Sequence, residues 1–415
     1  MQIKPVFESE KTLPIVFAFN NDYSKYFSVA LQSLIENFNV EYFYDIIIFS
    51  SDINERNREL LEEMLPENFS LRFFDVSEYI KQLLEDIHLQ GYKYWSVEMY
   101  YRVVIPIIMR NYEKVLYLDS DTICKKDIIP FFNTDFDHKQ IVAIQDAFNL
   151  IAGLEECKET KDYLLETLEL ESVKSYFNSG IILFNIPQIS PSTYIEKLKK
   201  AFNIELTNCP DQDVLNSIFK GQVKFINQQW NLQYHIPILY DRHLESFNKS
   251  DMQDYNFAFK NPAIIHYTSP VKPWYAPKVG LAVDFWRYAR KTDFYEEILY
   301  SMYQNEIANS RFATHLYMKL QEDKRVVLWG ASIFLEDFIK RYQISTKNIL
   351  GIIDINITRQ GKNIEGYKIY PPEILKSLEY EEIILTIVNG QDKRYEDIKN
   401  YLIKNNFAHI KFTKL

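Results

Sequence analysis

Short, nearly continuous apolar runs alternate with longer amphipathic stretches through the first third of the chain. Residues 15–19, 45–49, 71–74, 115–118 and 141–144 are apolar segments of four or five residues, the length and density expected of buried strands. Residues 26–38, 53–65 and 79–85 repeat apolar side chains at helical spacing. The first of these turns Val29-Ala30 and Ser33-Leu34 inward, and the second has Asn54 as its N-cap and Pro66 as its stop. Such alternation predicts an α/β fold. Ligands of open α/β sheets bind beyond the carboxyl ends of the strands, and Asn20 and Asp119 fall at two such ends.

The pattern changes near residue 280. Residues 285–319 predict one or two aromatic-rich helices in which Asp293, Glu296, Glu297 and Glu306 interleave with bases, a mixture that suits packing or linker helices better than a basic membrane-docking tail. From Arg325 a second α/β unit is expected: a strand over 326–329, a turn at Gly330-Ala331-Ser332, a helix over 333–342, a strand over 349–354 ending in Asp354, and a strand over 383–388. That order predicts a small Rossmann-like domain. Only Gly330 remains of the glycine motif, so a structural or interaction role is expected of it rather than cofactor binding. The expected division is 1–283, a helical linker 284–324, and 325–415.

Composition then narrows the class. A chain of 415 residues, 47% hydrophobic and 15% aromatic, has ample material for a core and for two or three domains. Its net charge of -10 and pI near 5.4 argue against a nucleic-acid partner, because phosphate backbones need a basic face. Cys124, Cys157 and Cys209 are odd in number and widely spaced, which indicates neither a disulfide framework nor a zinc site. Met1-Gln2-Ile3-Lys4-Pro5 lacks the basic-then-apolar order of a secretory signal, and there is no apolar run of about 18 residues to span a bilayer. The expected location is the cytoplasm.

The most specific chemistry lies in Lys114-Val115-Leu116-Tyr117-Leu118-Asp119-Ser120-Asp121-Thr122. Strand alternation would put Asp119 and Asp121 on one side of the backbone at a strand end, where carboxylates grip Mg2+ or Mn2+ and leave positions open for phosphate oxygens. The same pair also reads as a surface loop that caps the next helix. Asp119-Ser120-Asp121-Thr122-Ile123 is similar, too, to the D-x-D-x-[TV] nucleophile motif of haloacid-dehalogenase phosphatases, with the threonine one position early.

Five further segments, in order with this one, resemble the family 8 glycosyltransferases. Leu13-Pro14-Ile15-Val16-Phe17-Ala18-Phe19-Asn20-Asn21-Asp22-Tyr23 is similar to the family's first strand and nucleotide-binding turn. Tyr100-Tyr101-Arg102, just before the aspartate strand, resembles its Y-x-R segment. Tyr176-Phe177-Asn178-Ser179-Gly180 resembles its F-N-[AS]-G pattern, and Pro210-Asp211-Gln212-Asp213 its D-Q-D block. Ile265-His266-Tyr267-Thr268-Ser269-Pro270-Val271-Lys272-Pro273-Trp274 resembles H-[YF]-x-G-x-x-K-P-W, and the likeness covers roughly residues 13–290.

The resemblance implies a GT-A-type fold and a retaining hexosyltransferase that uses a UDP-sugar, with glucose or galactose favoured, and Mn2+ or Mg2+. Asp119, Asp121 and His266 would hold the metal. Ala18, Asn20, Asp22, Tyr23, Asp119, Ser120, Ser269 and Lys272 would bind the nucleotide and its diphosphate. Arg102, Asn178, Asp211 and Gln212 would surround the donor sugar, with Gln212 stabilising an oxocarbenium-like carbon in a same-face displacement. By residue type alone, Lys272 also reads as a solvated surface lysine and Asp211-Gln212 as a helix first turn. The implied acceptor is a glycan or glycolipid of the bacterial surface, such as lipopolysaccharide. The alternative is a non-catalytic sugar-nucleotide-binding scaffold of a glycan assembly complex. Peripheral association with the inner face of the cytoplasmic membrane, and oligomerisation through the C-terminal unit, are both compatible with this reading.

The chain departs from the pattern at three positions. Asn20 stands where the family often has an acid, Asp22 where it has Asn, and Ser269 where it has Gly. An amide at 20 still offers uracil both an acceptor and a donor.

Overall fold

Four of the five apolar runs of the first third become strands buried on both faces, and the run at 71–74 lies in a half-buried edge strand. In chain order the strands of the first 300 residues are β1 (Thr12–Ala18), β2 (Phe43–Phe49), β3 (Phe69–Phe74), β4 (Lys114–Leu118), β5 (Thr122–Cys124), β6 (Ile141–Gln145), β7 (Phe177–Asn185), β8 (Val223–Ile226), β9 (Leu232–Gln233) and β10 (Ile264–His266). Seven of them form one sheet in the order β3-β2-β1-β4-β7-β6-β8, in which β7 alone runs against the rest. Alternate residues feed two cores. Ile15, Phe17, Ile46, Ile48, Leu116 and Leu118 face one, and Val16, Ile47, Phe49, Val115 and Tyr117 face the other. Burial on both faces explains why these strands read as continuous apolar runs.

The computed structural model describes residues 2–85, 97–154, 158–202, 210–234, 249–268, 272–277, 280–344, 347–386, 391–405, 407 and 411–414. The chain divides into two compact units, Met1–Leu299 and Tyr300–Leu415. Among the described residues no helix is long and apolar enough to cross a membrane.

The reversed strand positions the site. Because β7 runs opposite to β4, its first residues lie where β4 ends: Leu118 pairs with Ile181, and the Asp119 N–H donates to the Gly180 carbonyl at 2.8 Å. A second sheet, β5-β10-β9, lies beside this point and sets His266 opposite Thr122 and next to Gln233. Asp119 and Asp121 therefore sit in the turn between β4 and β5, not within one strand. Strand alternation does not bring them together; the turn does.

Local signals act as expected. Asn54 caps the helix Glu55–Glu62, its side chain accepting from the Asn57 N–H. The helix Ser24–Glu36 buries Val29, Ala30, Ser33 and Leu34.

The second unit carries β11 (Val326–Trp329), β12 (Ile349–Ile353), β13 (Asn363–Ile364), β14 (Tyr367–Tyr370), β15 (Glu382–Leu385) and β16 (Lys411–Lys414), in the sheet order β13-β14-β12-β11-β15-β16. All neighbours are parallel except the β13–β14 hairpin, whose two turn residues, Glu365 and Gly366, both have positive φ. The helix Ile333–Tyr342 follows β11, capped by Ser332. Asp354, at the end of β12, accepts from the Ala331 N–H at 2.9 Å and so closes its carboxylate onto the glycine turn.

Candidate active site

Five segments converge beyond the end of β4. Asp119 and Asp121 flank the buried Ser120 in the β4–β5 turn, and His266 ends β10. His266 Nε2 lies 3.1 Å from Asp121 Oδ1 and 3.5 Å from Asp119 Oδ2. On its other side His266 Nδ1 meets Asn231 Oδ1 at 2.9 Å, and Asn231 is itself oriented by donating its amide to Asn178 Oδ1 at 2.9 Å. With the ring proton at Nδ1, the Nε2 lone pair faces two carboxylates. Three lone-pair atoms in such close contact are joined either by a proton on Nε2 or by a metal ion.

Two further observations fit a metal ion at that point. One ligand atom from each of Asp119, Asp121 and His266 lies within 4.8 Å of the others, and Asp121 Oδ1 is buried without a hydrogen-bond donor. Oxygen-rich ligation with one imidazole suits Mg2+ or Mn2+. Burial works against a charge on His266, but the carboxylates of Asp121 and Asp119 outweigh it and raise its pKa. The pocket favours positive charge at Nε2.

Gly180 is required by this crowding. A Cβ there would fall 2.2 Å from His266 Cε1 and 2.6 Å from Asp119 Oδ2, so β7 approaches the site only because residue 180 has no side chain.

Basic groups bracket the aspartates. Arg102 Nη2 lies 2.8 Å from Asp119 Oδ1, and Arg102 Nε lies 3.3 Å from Asp211 Oδ2. Its Nη1 donates to the Ser179 carbonyl at 2.9 Å, and the guanidinium stacks 4.7 Å from the Tyr117 ring centre. The Tyr117 hydroxyl adds a 2.7 Å bond to Asp119 Oδ1. Lys272 Nζ lies 2.5 Å from Asp121 Oδ2 and also donates to the Tyr267 carbonyl. Burial pushes the Asp121 carboxyl up, but the Lys272 ammonium and His266 hold it below the usual carboxylate range. Burial raises Asp211 despite Arg102, and the Asp119 charge adds to the rise.

The helix Pro210–Ile218 presents Asp211 and Gln212 in its first turn, both buried. Gln212 Oε1 accepts from the Ser179 N–H at 2.8 Å and from Asn178 Nδ2 at 3.2 Å, while Gln212 Nε2 donates to Asp146 Oδ2 at 3.2 Å. One turn on, Asn216 pairs with both backbone groups of Phe177, fastening the helix to the start of β7. The helix-start reading and placement at the site thus hold together.

The first turn of the chain lies on the near side. Ala18 ends β1, Asn20 caps the short turn Asn21–Tyr23 by accepting from the Tyr23 N–H at 3.3 Å, and Asp22 is exposed. Burial, followed by the charge of Asp121, raises the Tyr23 phenol. Trp274 stacks on Tyr26 at 4.0 Å and 13° and meets Tyr23 edge-on. Ser269, expected near the diphosphate, lies outside the described residues, as do Cys157 and Cys209.

Several residues at the centre went unread in the sequence. Asp146, at the end of β6, accepts from Asn178, Gln212 and Gln233 through one oxygen, at 3.1, 3.2 and 3.0 Å. Asn231 and Tyr117 likewise hold residues that carry motifs, and Gln233 holds Asp146. The one available signal was the position of Asp146, an acid directly after an apolar strand, as Asp119 is.

The family model described as glycosyl transferase family 8 matches residues 14–277, more than half of the chain. The chain belongs to that family. It is a glycosyltransferase. Among its relatives, the lipopolysaccharide 1,3-galactosyltransferase of Salmonella typhimurium is 29% identical over 194 residues, 45% of this chain and about half, 52%, of that protein. The bifunctional glycosyltransferase WbbM superposes with a TM-score of 0.64 at 26% identity, covering 72% of this chain and 53% of that one. The galactosyltransferase LgtC, solved with donor and acceptor sugar analogues, shares the GT-A fold: TM-score 0.51 at 23% identity, covering 68% of this chain and 96% of that one. Residues 322–411 match a separate model, C2185-like, N-terminal.

Proposed function

We propose that this family 8 enzyme transfers a hexose, glucose or galactose, from a UDP-sugar to a bacterial surface glycan with retention of configuration, using Mn2+ or Mg2+ held by Asp119, Asp121 and His266. The observation that carries the reading is the convergence of these three ligand atoms within 4.8 Å, beside the ammonium of Lys272 and the guanidinium of Arg102. When bound, the divalent ion neutralises the charge that develops on the diphosphate as the sugar bond breaks.

The protein's own groups do the rest. Lys272 gives the diphosphate a second point charge. Arg102 spans Asp119 and Asp211, so the metal side and the sugar side of the pocket are held in one geometry. Asp211 orients the hexose hydroxyls, and Asn178, whose amide is fully engaged with Asp146, Gln212, Asn231 and the Gly180 N–H, holds Gln212 in place. Gln212 is a poor covalent nucleophile, and its amide acts on the oxocarbenium-like carbon by dipole and position. A leaving-phosphate oxygen on the same face takes the acceptor proton. Asn20, Asp22 and Tyr23 read the uridine from the end of β1.

The test is transfer and donor hydrolysis with UDP-glucose and UDP-galactose, with and without Mn2+, in the wild type and in Asp121→Ala. The expected outcome is Mn2+-dependent turnover that the substitution abolishes while the near-UV dichroism persists. Turnover at the wild-type rate with unchanged Mn2+ dependence in Asp121→Ala would sink the metal assignment.

A further inference from the structure

We propose that Lys272 is a built-in stand-in for the divalent cation: its ammonium neutralises Asp121 until a diphosphate draws it away, so the protein takes up metal and nucleotide together rather than metal first. This rests on the assignment of Asp119, Asp121 and His266 as metal ligands and concerns the order and coupling of the two binding events.

The charges around the aspartates are already balanced. Asp119 has Arg102 at 2.8 Å, and Asp121 has Lys272 at 2.5 Å, both closer than His266 is to either. Both pairs are largely buried, with side-chain exposures of 10% and 22% for Arg102 and Asp119, and 12% and 13% for Lys272 and Asp121. Screening by water is weak there, so a free divalent ion placed among the ligands meets two fixed positive charges at short range. A diphosphate changes the balance. It brings at least two negative charges and offers an ammonium stronger partners than the one carboxylate oxygen and one backbone carbonyl it now holds.

The geometry allows the exchange without moving the backbone. Trp274, two residues on, is buried and stacked on Tyr26, and the N–H groups of Tyr275 and Ala276 donate to the Lys272 carbonyl at 3.0 and 2.9 Å. The backbone at 272 is thus anchored, and the change is confined to the four-carbon side chain, which must also leave the Tyr267 carbonyl. When Nζ leaves, Asp121 Oδ2 joins the already undonated Oδ1 as a ligand atom. Coupling is reciprocal, so the diphosphate and the metal tighten each other by the same factor.

The experiment titrates Mn2+ into the full chain, followed by the paramagnetic signal of free Mn2+, without and with saturating UDP, after correction for the Mn2+–UDP complex formed in solution. Wild-type protein is expected to bind Mn2+ at least about tenfold more tightly with UDP than without. Lys272→Met is expected to bind Mn2+ in the absence of UDP about tenfold more tightly than wild type. The proposal is overturned if wild type alone binds Mn2+ as tightly as with UDP, an outcome that needs no variant and leaves the metal ligands assigned as above. It is equally overturned if a folded Lys272→Met gains no affinity without UDP. Should wild type bind no Mn2+ even with UDP, the metal assignment fails and the coupling fails with it.

Discussion

At the scale of the residue, the site is built so tightly that small changes have large consequences. Gly180→Ala would place a Cβ against the imidazole of His266 and the carboxylate of Asp119, at 2.2 and 2.6 Å, and neither neighbour is a loose chain end. The imidazole is held from behind by Asn231, and Asp119 by Arg102 and Tyr117. The strand or the ligands must shift, and a displacement near 1 Å costs about 100-fold in rate. Gly180→Ala is therefore expected to lower kcat by about that factor while Mn2+ binding weakens, as read by steady-state kinetics and by Mn2+ titration. Gln212→Ala acts differently. It should lower kcat far more than it raises the donor dissociation constant, because the amide works mainly in the transition state. It also strips the Ser179 N–H of its acceptor, and the expected loss of stability is about 1–3 kcal/mol by denaturant titration. A fall in donor affinity with kcat unchanged would leave Gln212 as a binding residue only. Asp119, Asp121, Arg102, Asn178, Gln212 and His266 were legible in the sequence because each sits in a segment of recognisable pattern. Asp146 and Asn231 were not, because their work is to hold those side chains through contacts that exist only after folding, and Gln233 acts one step further out, on Asp146.

At the scale of the element, the apolar strands were readable because burial on both faces leaves no polar positions to confuse the period, as in β4. Their ends were not. β1 starts at Thr12, three residues before the apolar run suggests, because pairing with β2 continues through Thr12 and Phe43. The edge strand β8, half-buried throughout, gave no clear period, and the helices Pro191–Ala201 and Lys249–Lys260 passed unread although Pro191 stands at a favoured first position. In the second unit Glu382 opens β15 as a nearly fully buried acid that Thr413, Lys319 and Lys411 address. Burial would raise its pKa, but the Thr413 hydroxyl and the two lysines outweigh it, so the folded value is lowered. Such a carboxylate contributes stability above its unfolded pKa of about 4.3, and the contribution is lost as pH falls through the folded value. Glu382→Gln is expected to destabilise the second unit by about 1.5–3 kcal/mol at pH 7, with the gap to wild type closing below about pH 4. Denaturant melts of the whole chain at the two pH values measure it; a gap that persists at low pH would assign the loss to packing.

At the scale of the whole molecule, the motifs and the cores divide the chain in the same way. Every segment that resembles the family's donor site ends by Trp274, and Phe294 and Ile298 still belong to the core of the first unit. The core of the second unit begins at Phe312, on the same helix, Tyr295–Leu320. The second unit has its own sheet, its own apolar clusters, and a glycine turn whose backbone amide is taken by Asp354, which favours a docking or assembly role over a second nucleotide site. Truncation after about residue 310, just short of Phe312, should therefore yield a folded protein that hydrolyses its donor with Mn2+ at a rate within about threefold of the full chain, since no motif residue is removed. Transfer to the natural acceptor is expected to weaken, on the proposal that the second unit serves partner binding, oligomerisation or acceptor presentation. Dichroism, a UDP-sugar thermal shift and the hydrolysis assay together decide the matter. A donor at ~100 times its dissociation constant stabilises the fold by about 2.7 kcal/mol, a shift large enough to see in either protein. If the truncated chain folds yet shows no such shift, residues beyond 310 help to build the donor site, and the division between the units does not separate catalysis from assembly.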